Sequence, residues 1–542
     1  MKGKIISILV LALFITTTFT IAKGTMCEKK LVEKSDNYND LTKETICDIN
    51  FMAGWNEKQQ LFASDGDLLD NFGYCVDIDG DYAIVSSFAD NVYAGSAYIF
   101  NYDGLDWNEQ QKITASDAES NDCFGRVSID EDYAVVGAYG DNLNSGSAYV
   151  FKRSGTSWTE QQKLTASDSA ADDYFGISTD IDVDYAVVGA YYKNNQQGAV
   201  YVFKRSGSSW SQQQKLTASD GNLGDHFGIC VSIDGDYILI GAEGDDNEKG
   251  AAYIFKLSGS SWTQEAKLVA LDSADGDRFG INVCIDEDYA LVGSFFDDSE
   301  KGSAYVFKRS GTIWNQEAKL TASDGMSGDK FGTSVSIDED YCIVSAYYDD
   351  NQEGSSYVFK RSGTSWTQEI KLTASSGAIG DWFGIDVSID AFNIVIGAYG
   401  DDGIGNNAGC AYIFEKDNNP PHTLDISGPL KGKVGDFYDY NFTNCVDPDG
   451  DDMTYYVEWG DGGSDQGFVA SGGAFTLTHS WITKGDYTIK AKLIDKYGLE
   501  SAWSTLDVNM PRAKVLQSNN LFQRLFERFP DIFPIVKKLF NL

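Results

Sequence analysis

No proline precedes Pro420 in this 542-residue chain, although seven follow from there on. Proline cannot donate to a β-ladder, so its exclusion predicts a body of paired strands that stops where Pro420-Pro421 begins. Histidine is almost as scarce, with His226, His422 and His479 alone. No nucleophile, base and orienting acid are spaced in the sequence as a catalytic set. Basic residues are outnumbered, 42 Lys and Arg against 82 Asp and Glu, for a formal net charge of -40. Nucleic acid, whose phosphates need cations, is thereby excluded as a partner; an acidic surface suits divalent cations, cationic ligands or a salty exterior. The nine cysteines are an odd number and form no framework. Cys75, Cys230, Cys284, Cys342 and Cys410 fall at small or apolar strand positions, as buried free thiols do. Only Cys27 and Cys47 remain as a disulfide candidate.

What the chain does have is a beat. Phe-Gly recurs at Phe72, Phe124, Phe175, Phe227, Phe279, Phe331 and Phe383, with a Trp in step at Trp55, Trp107, Trp158, Trp210, Trp262, Trp314 and Trp366. The Phe-Gly intervals are 52 residues except for the second, which is 51. A Gly-x-x-Tyr-(Val/Ile)-Phe block follows each Phe-Gly, from Gly95 to Gly409. Such a period means an array of supersecondary units. In one unit, Trp158–Ala166, Phe175–Ile181, Tyr185–Ala190 and Gly198–Phe203 each alternate as a short strand. Four strands per unit and seven units predict an all-β, seven-bladed β-propeller over residues 51–416. The first Trp strand precedes the first Phe-Gly and nothing like it follows Phe414. Trp55–Ala63 is therefore expected to close the ring as the fourth strand of the blade containing Phe383 to Phe414.

The remaining segments change character. Residues 1–22, a charged start and then the apolar run Ile5–Phe14, form an expected signal peptide, with an uncleaved anchor as the alternative. A linker at 23–50 follows, and no later segment is expected to span a membrane. After a linker at 417–423, residues 424–510 show short strands and tight turns. The tail, 511–542, places Leu521, Phe522, Leu525, Phe526 and Phe529 on one helical face with Arg524 and Arg528 nearby, a short amphipathic helix suited to surface attachment, sorting or docking.

Two resemblances follow from these residues. Phe-Gly-x-x-Val-x-Ile-Asp followed by Tyr-Ala-Val-Val-Gly-Ala resembles the FG-GAP repeat of the propeller that heads integrin α-subunits and many prokaryotic surface proteins. Trp459-Gly-Asp-Gly462 and Gly485-Asp-Tyr487 resemble a PKD domain, an immunoglobulin-like β-sandwich of extracellular proteins. Together they imply a secreted or cell-surface protein. The calcium loop of the integrin form is missing here. Asp79-Gly80-Asp81, Asp130-Glu131-Asp132 and Asp234-Gly235-Asp236 occupy two-residue hairpins, for which Asp-Gly is ordinary turn chemistry, whereas calcium needs six to eight oxygens from a longer loop. Asp447, Asp449 and Asp451 are candidate calcium ligands, with a plain Asp-Pro-Asp-Gly turn as the alternative. No cofactor is otherwise required.

In a propeller the links between strands two and three share a face with the links between blades. Here both are acidic, as in Asp245-Asp246 and Asp324, while the opposite face carries hairpins such as Lys152-Arg153; a polarised molecule is expected. Two residues after the Gly of Gly-Ala stand Phe88, Tyr139, Tyr191, Glu243, Phe295, Tyr347 and Tyr399. Six aromatics and one acid make a candidate ligand ring; the alternative is that each plugs its own blade. The function expected is a non-catalytic, exported binding or adhesion protein that presents this face to an extracellular protein or glycan, with the second domain as a spacer. A polysaccharide-degrading enzyme using channel-mouth acids and a structural cell-envelope component are the alternatives.

Overall fold

The computed structural model describes residues 54–402 and 407–511. The expected signal peptide, the Cys27–Cys47 pair and the C-terminal helix lie outside the described residues. Within them, seven four-stranded antiparallel sheets form the blades. Blade 1 consists of Phe72–Asp79, Tyr82–Ser87, Ser96–Tyr102 and Trp107–Ile113, and blades 2 to 6 repeat it. Blade 7 holds Val387–Asp390, Asn393–Ala398 and Cys410–Lys416, and its fourth strand is Trp55–Leu61, in the register Trp55↔Lys416. The ring is therefore tied shut by its own N-terminal strand.

The motif residues are blade-building devices. Each Phe of Phe-Gly is buried and meets the Tyr and Phe of its own third strand steeply or edge-on, as Phe175 does with Tyr201 at 5.5 Å and Phe203 at 6.1 Å. Burying a side chain of that size contributes roughly 1.5–3 kcal/mol. Apolar layers alternate with the sheets: one face of blade 2 packs on blade 3, and Leu61, Phe72 and Ile413 join blade 7 to blade 1 in the same way. The two glycines of the motif interlock between blades. A Cβ at Gly137, in Gly-Ala of blade 2, would lie 2.0 Å from the carbonyl oxygen of Gly176, in Phe-Gly of blade 3.

Carboxylates fasten the blades a second time. Asp79, Asp130, Asp182, Asp234, Asp286, Asp338 and Asp390 each accept a backbone N–H from the first turn of the next blade, at 2.6 to 2.9 Å. The paired acids of the Asp-Gly-Asp type are thus hairpin residues that also act as latches. A third fastening holds only half of the ring. The amide of Gln111 donates to Trp158 O at 2.7 Å and accepts from Trp158 N at 2.8 Å. Gln59, Gln162 and Gln214 do the same for Trp107, Trp210 and Trp262, but Ala266, Ala318 and Ile370 follow in the sequence.

The expected polarity is muted, because acids and bases are paired on both faces. Lys163 bonds Asp117 and Asp141 on the acidic face, while Arg153 pairs with Asp132 on the other. Blade 3 shows how local this pairing is. The position held by Asp141, Asp245, Asp297 and Asp349 is Lys193, buried and bonded to Asp173 at 2.7 Å.

The second domain is a sandwich of a three-stranded and a four-stranded sheet. Trp459, Trp481, Tyr440 and Phe442 form its centre. His479 stacks on Trp459 at 4.4 Å and meets Asp461 at 2.9 Å, so it belongs to the framework. The sandwich touches the face that carries the first turns of the blades, where Lys496 pairs with Glu339 at 2.7 Å and Tyr497 packs on Phe392. No helix among the described residues is long and apolar enough to cross a membrane, and the seven described cysteines are free.

Candidate functional site

The seven residues of the predicted ring surround the channel mouth, and none stands alone. Between each neighbouring pair the backbone brings a second side chain, the residue that precedes Phe-Gly: Asn71, Cys123, Tyr174, His226, Arg278, Lys330 and Trp382. All seven take a left-handed conformation, with φ between 55° and 59°. In blades 2 to 7 the backbone N–H of this residue donates to a carbonyl in the link of the preceding blade, as His226 does to Gln196 at 2.9 Å. The repeat thus fixes the main chain and leaves the side chain free. Seven equivalent positions carry seven different residues.

The result is a belt of ring and cation contacts. Tyr174 lies between Tyr139 at 6.2 Å and Tyr191 at 5.8 Å. Trp382 stacks on Tyr399 at 4.8 Å, and Tyr399 meets Tyr74, which packs on Phe88 at 4.1 Å. Lys330 sits among four rings, Phe295, Phe296, Tyr347 and Tyr348, the last at 4.1 Å. An aromatic cage for a cation is therefore present but already filled by the chain's own ammonium group. Burial pushes the phenol of Tyr191 up to about 12, with Tyr192 next in effect, and that of Tyr399 likewise to about 12; both are neutral at physiological pH.

Glu243, the acid in the ring, is buried against two bases. His226 Nδ1 lies 3.4 Å and Arg278 3.8 Å from its carboxylate, and Arg278 also reaches Glu248 at 3.2 Å and the face of Phe296 at 4.9 Å. The break in the aromatic ring is thus compensated by its neighbours. Sequence reasoning missed the partner positions because it followed what recurs. The signal was present as the one column of the repeat with no repetition.

Beneath the belt the channel holds a cavity of about 340 Å³. Its upper wall carries Ile177, Ile229, Ile281 and Ile385, with Tyr74 and Arg126 in their place in blades 1 and 2. Blade 2 is one residue short here, which is the 51-residue interval. Arg126 fills the gap and donates to Tyr74 Oη at 2.7 Å. Lower down, Asp77, Asp180 and Asp386 each accept an N–H from a neighbouring blade, from Ile129, Ile233 and Val76. Burial raises Asp77 to about 7, aided by Asp180, and raises Asp180 to about 6.

Among the described residues no three His, Cys, Asp or Glu side chains gather as a metal-ligand set. The predicted trio Asp447, Asp449 and Asp451 is split. Asp449 turns away to accept from Asn419 N at 2.6 Å. Asp447 is buried, one of its oxygens accepting from Asp449 N and Asp451 N. The other, Asp447 Oδ2, together with Asp451 Oδ2 and Asn418 Oδ1, is buried without a donor. Burial raises both carboxyls above their ordinary value. Lys416, Lys496 and Lys360 act on Asp451 in the opposite sense, as nearby positive charges.

Seven segments match the FG-GAP repeat, at residues 55–100, 107–151, 158–203, 210–255, 262–307, 314–359 and 366–414, together more than half of the chain. Among solved structures, the PKD domain of an M14-like peptidase from Thermoplasmatales archaeon SCGC AB-540-F20 is 43% identical over 18% of this chain and 99% of its own, with a TM-score of 0.17. The PKD domain of human VPS10 domain-containing receptor SorCS2 is 17% identical over 18% of this chain and 80% of its own, at 0.15. Dipeptidyl peptidase 4 of Porphyromonas gingivalis is 10% identical over 64% of this chain and 52% of its own, at 0.28. No curated protein matches the chain.

Proposed function

The chain belongs to the FG-GAP repeat family, and from that premise we propose that it is an exported, non-catalytic binding or adhesion protein of the cell surface. The propeller presents the channel-mouth belt to an extracellular protein or glycan, and the sandwich serves as a spacer. The observation that carries this reading is the column of seven unlike residues before Phe-Gly. The repeat itself uses only the backbone there, and the side chains, packed against the ring residues beside them, differ from blade to blade, so their chemistry is available to a ligand. Half-buried aromatic platforms flanked by Arg278 and Lys330 suit sugar faces and polar rims alike. The test is a glycan array, together with capture from extracts of the native cell surface, using the unaltered chain and Arg278→Ala, Lys330→Ala and Trp382→Ala.

We also propose that the junction between the domains takes calcium through Asp447, Asp451 and the amide oxygen of Asn418. A cation there would stiffen the spacer where it leaves the propeller. It would supply charge neutralisation alone.

A further inference from the structure

Blade 1 and blade 2 break the repeat in a second place, away from the belt. In the link between strands two and three, three successive residues of blades 1 to 6 adopt a left-handed turn. Blades 3 to 6 place Asn195, Asn247, Ser299 and Asn351 at its centre, residues that tolerate or are small enough for such a backbone. Blades 1 and 2 place Val92 and Leu143 there, both with φ 61° and 67% and 83% exposed. Leu69 likewise takes φ 68°, where the other blades have Gly, Asn or Asp, and is exposed beside Leu68. Each of these side chains bears two penalties, a disfavoured backbone and contact with water. Neither serves the blade.

Leu68 and Val92 line one groove of about 620 Å³ together with Asp67, Asp70, Asp90 and Lys112, the last bonded to Asp90 at 2.7 Å. Asp67 forms no ion pair among the described residues. Three carboxylates against one ammonium leave the groove net acidic, and with Leu68 and Val92 exposed at it the groove suits a basic amphipathic segment, of which this strongly acidic chain contains one. From residue 512 on, Arg512, Lys514, Arg524, Arg528, Lys537 and Lys538 stand against Glu527 and Asp531. Leu521, Phe522, Leu525, Phe526 and Phe529 recur at helical spacing.

The geometry rules out the molecule's own tail. The groove lies on the belt side, whereas the sandwich meets the opposite face through Lys496 and Tyr497. These residues follow one end of the 11-residue strand Gly485–Asp495, and Met510, where the tail departs, pairs with Gly485 at the other end. That end lies about 36 Å along the strand from the residues that meet the propeller. The ten or so residues before Leu521 reach at most about 35 Å, which returns them to the near face only. We propose that the C-terminal segment of a second copy docks in the blade 1 groove and across Val92 and Leu143. The contact joins unlike surfaces of two copies, so it assembles either as a tail-exchanged dimer or ring or as a head-to-tail chain.

The experiment is sedimentation velocity of the full-length chain over a range of concentrations, beside Val92→Asn/Leu143→Asn and a chain that stops at Pro511. Asparagine occupies these positions in other blades, so the double variant should melt no lower than the parent. The proposal expects self-association of the parent that is lost in both variants. A synthetic peptide of residues 517–542 should bind the truncated chain and bind the double variant at least tenfold more weakly. Association that persists in the double variant, a parent that stays monomeric, or a peptide that binds both proteins equally would overturn it. So would a peptide that partitions into anionic phospholipid vesicles while leaving the propeller unbound, which would make the tail a membrane anchor.

Discussion

The carboxylate of Asp390 in blade 7 accepts the backbone N–H of Gly80 in blade 1 at 2.7 Å. This bond joins the two ends of the ring, and six more of the same form run round it. Gly80 is exposed, so its N–H can turn to water when the carboxylate is removed, and the bond contributes about 1 kcal/mol. Asp390→Ala is expected to lower stability by about 1 kcal/mol in denaturant titration. Asp390→Asn, which keeps an acceptor oxygen and sheds the charge, should cost less than half as much.

Stability should fall as pH rises from about 4 to about 8. Burial raises Asp286 to about 7 and Asp130 and Asp338 to about 6, alongside Asp77 and Asp180 in the channel, from an ordinary value of 3.8. A carboxyl with a raised folded-state pKa stabilises the fold fully below its unfolded value. That contribution is lost as pH climbs through the folded value. Asp168 acts in the opposite sense. Burial pushes it up, but Lys215, Tyr201 and Lys193 outweigh that and hold it at about 2, so its contribution disappears as pH falls. A melting temperature highest near pH 4 follows, and Asp77→Asn should flatten the fall above it.

Gly137→Ala tests the interlock that the Phe-Gly and Gly-Ala motifs provide. The new methyl group would meet the Gly176 carbonyl oxygen at 2.0 Å and force two blades apart. Overpacking of a close-packed contact costs typically 1–3 kcal/mol. We expect a loss of about 3 kcal/mol, against about 1 kcal/mol for Gly155→Ala, whose Cβ meets nothing within 4 Å and whose cost is the left-handed backbone alone, φ 63°.

Calcium should raise the melting temperature of the full chain through the junction site. At a hundredfold excess over the dissociation constant the gain is about 2.7 kcal/mol. Asp451→Ala should abolish the calcium response. Asp449→Ala should leave most of it, because Asp449 is engaged with Asn419.

Much of this architecture is written in periodicity. Phe124, Gly176 and Trp158 recur because every blade needs a plug, a close approach and an outer strand, and the order of Trp55 and Phe72 carries the ring closure. The latch role of Asp79 and Asp390 is invisible in sequence, since an Asp-Gly hairpin has the same letters whether or not its carboxylate reaches the next blade. The ring of Phe88 to Tyr399 was legible as a ring, yet its partners were not. Tyr174, His226 and Lys330 share no residue type, and only the common backbone shows that they hold one place. Glu243 stood out by composition, and its meaning depended on Arg278, a residue 35 positions away in the next blade. Asp449 departed from its expected role because the neighbouring Asn419 competes for its carboxylate.

The central claim is that the column before Phe-Gly binds the ligand. It is tested most directly by measuring binding to the glycan or surface protein captured by the native chain, with the triple variant Arg278→Ala/Lys330→Ala/Trp382→Ala alongside. Truncating central anchors of an interface costs about 2 kcal/mol or more, so the account predicts a loss of at least about thirtyfold from a propeller that still folds, with a melting temperature lowered by the loss of Arg278 beside the buried Glu243. An affinity equal to that of the native chain would contradict it.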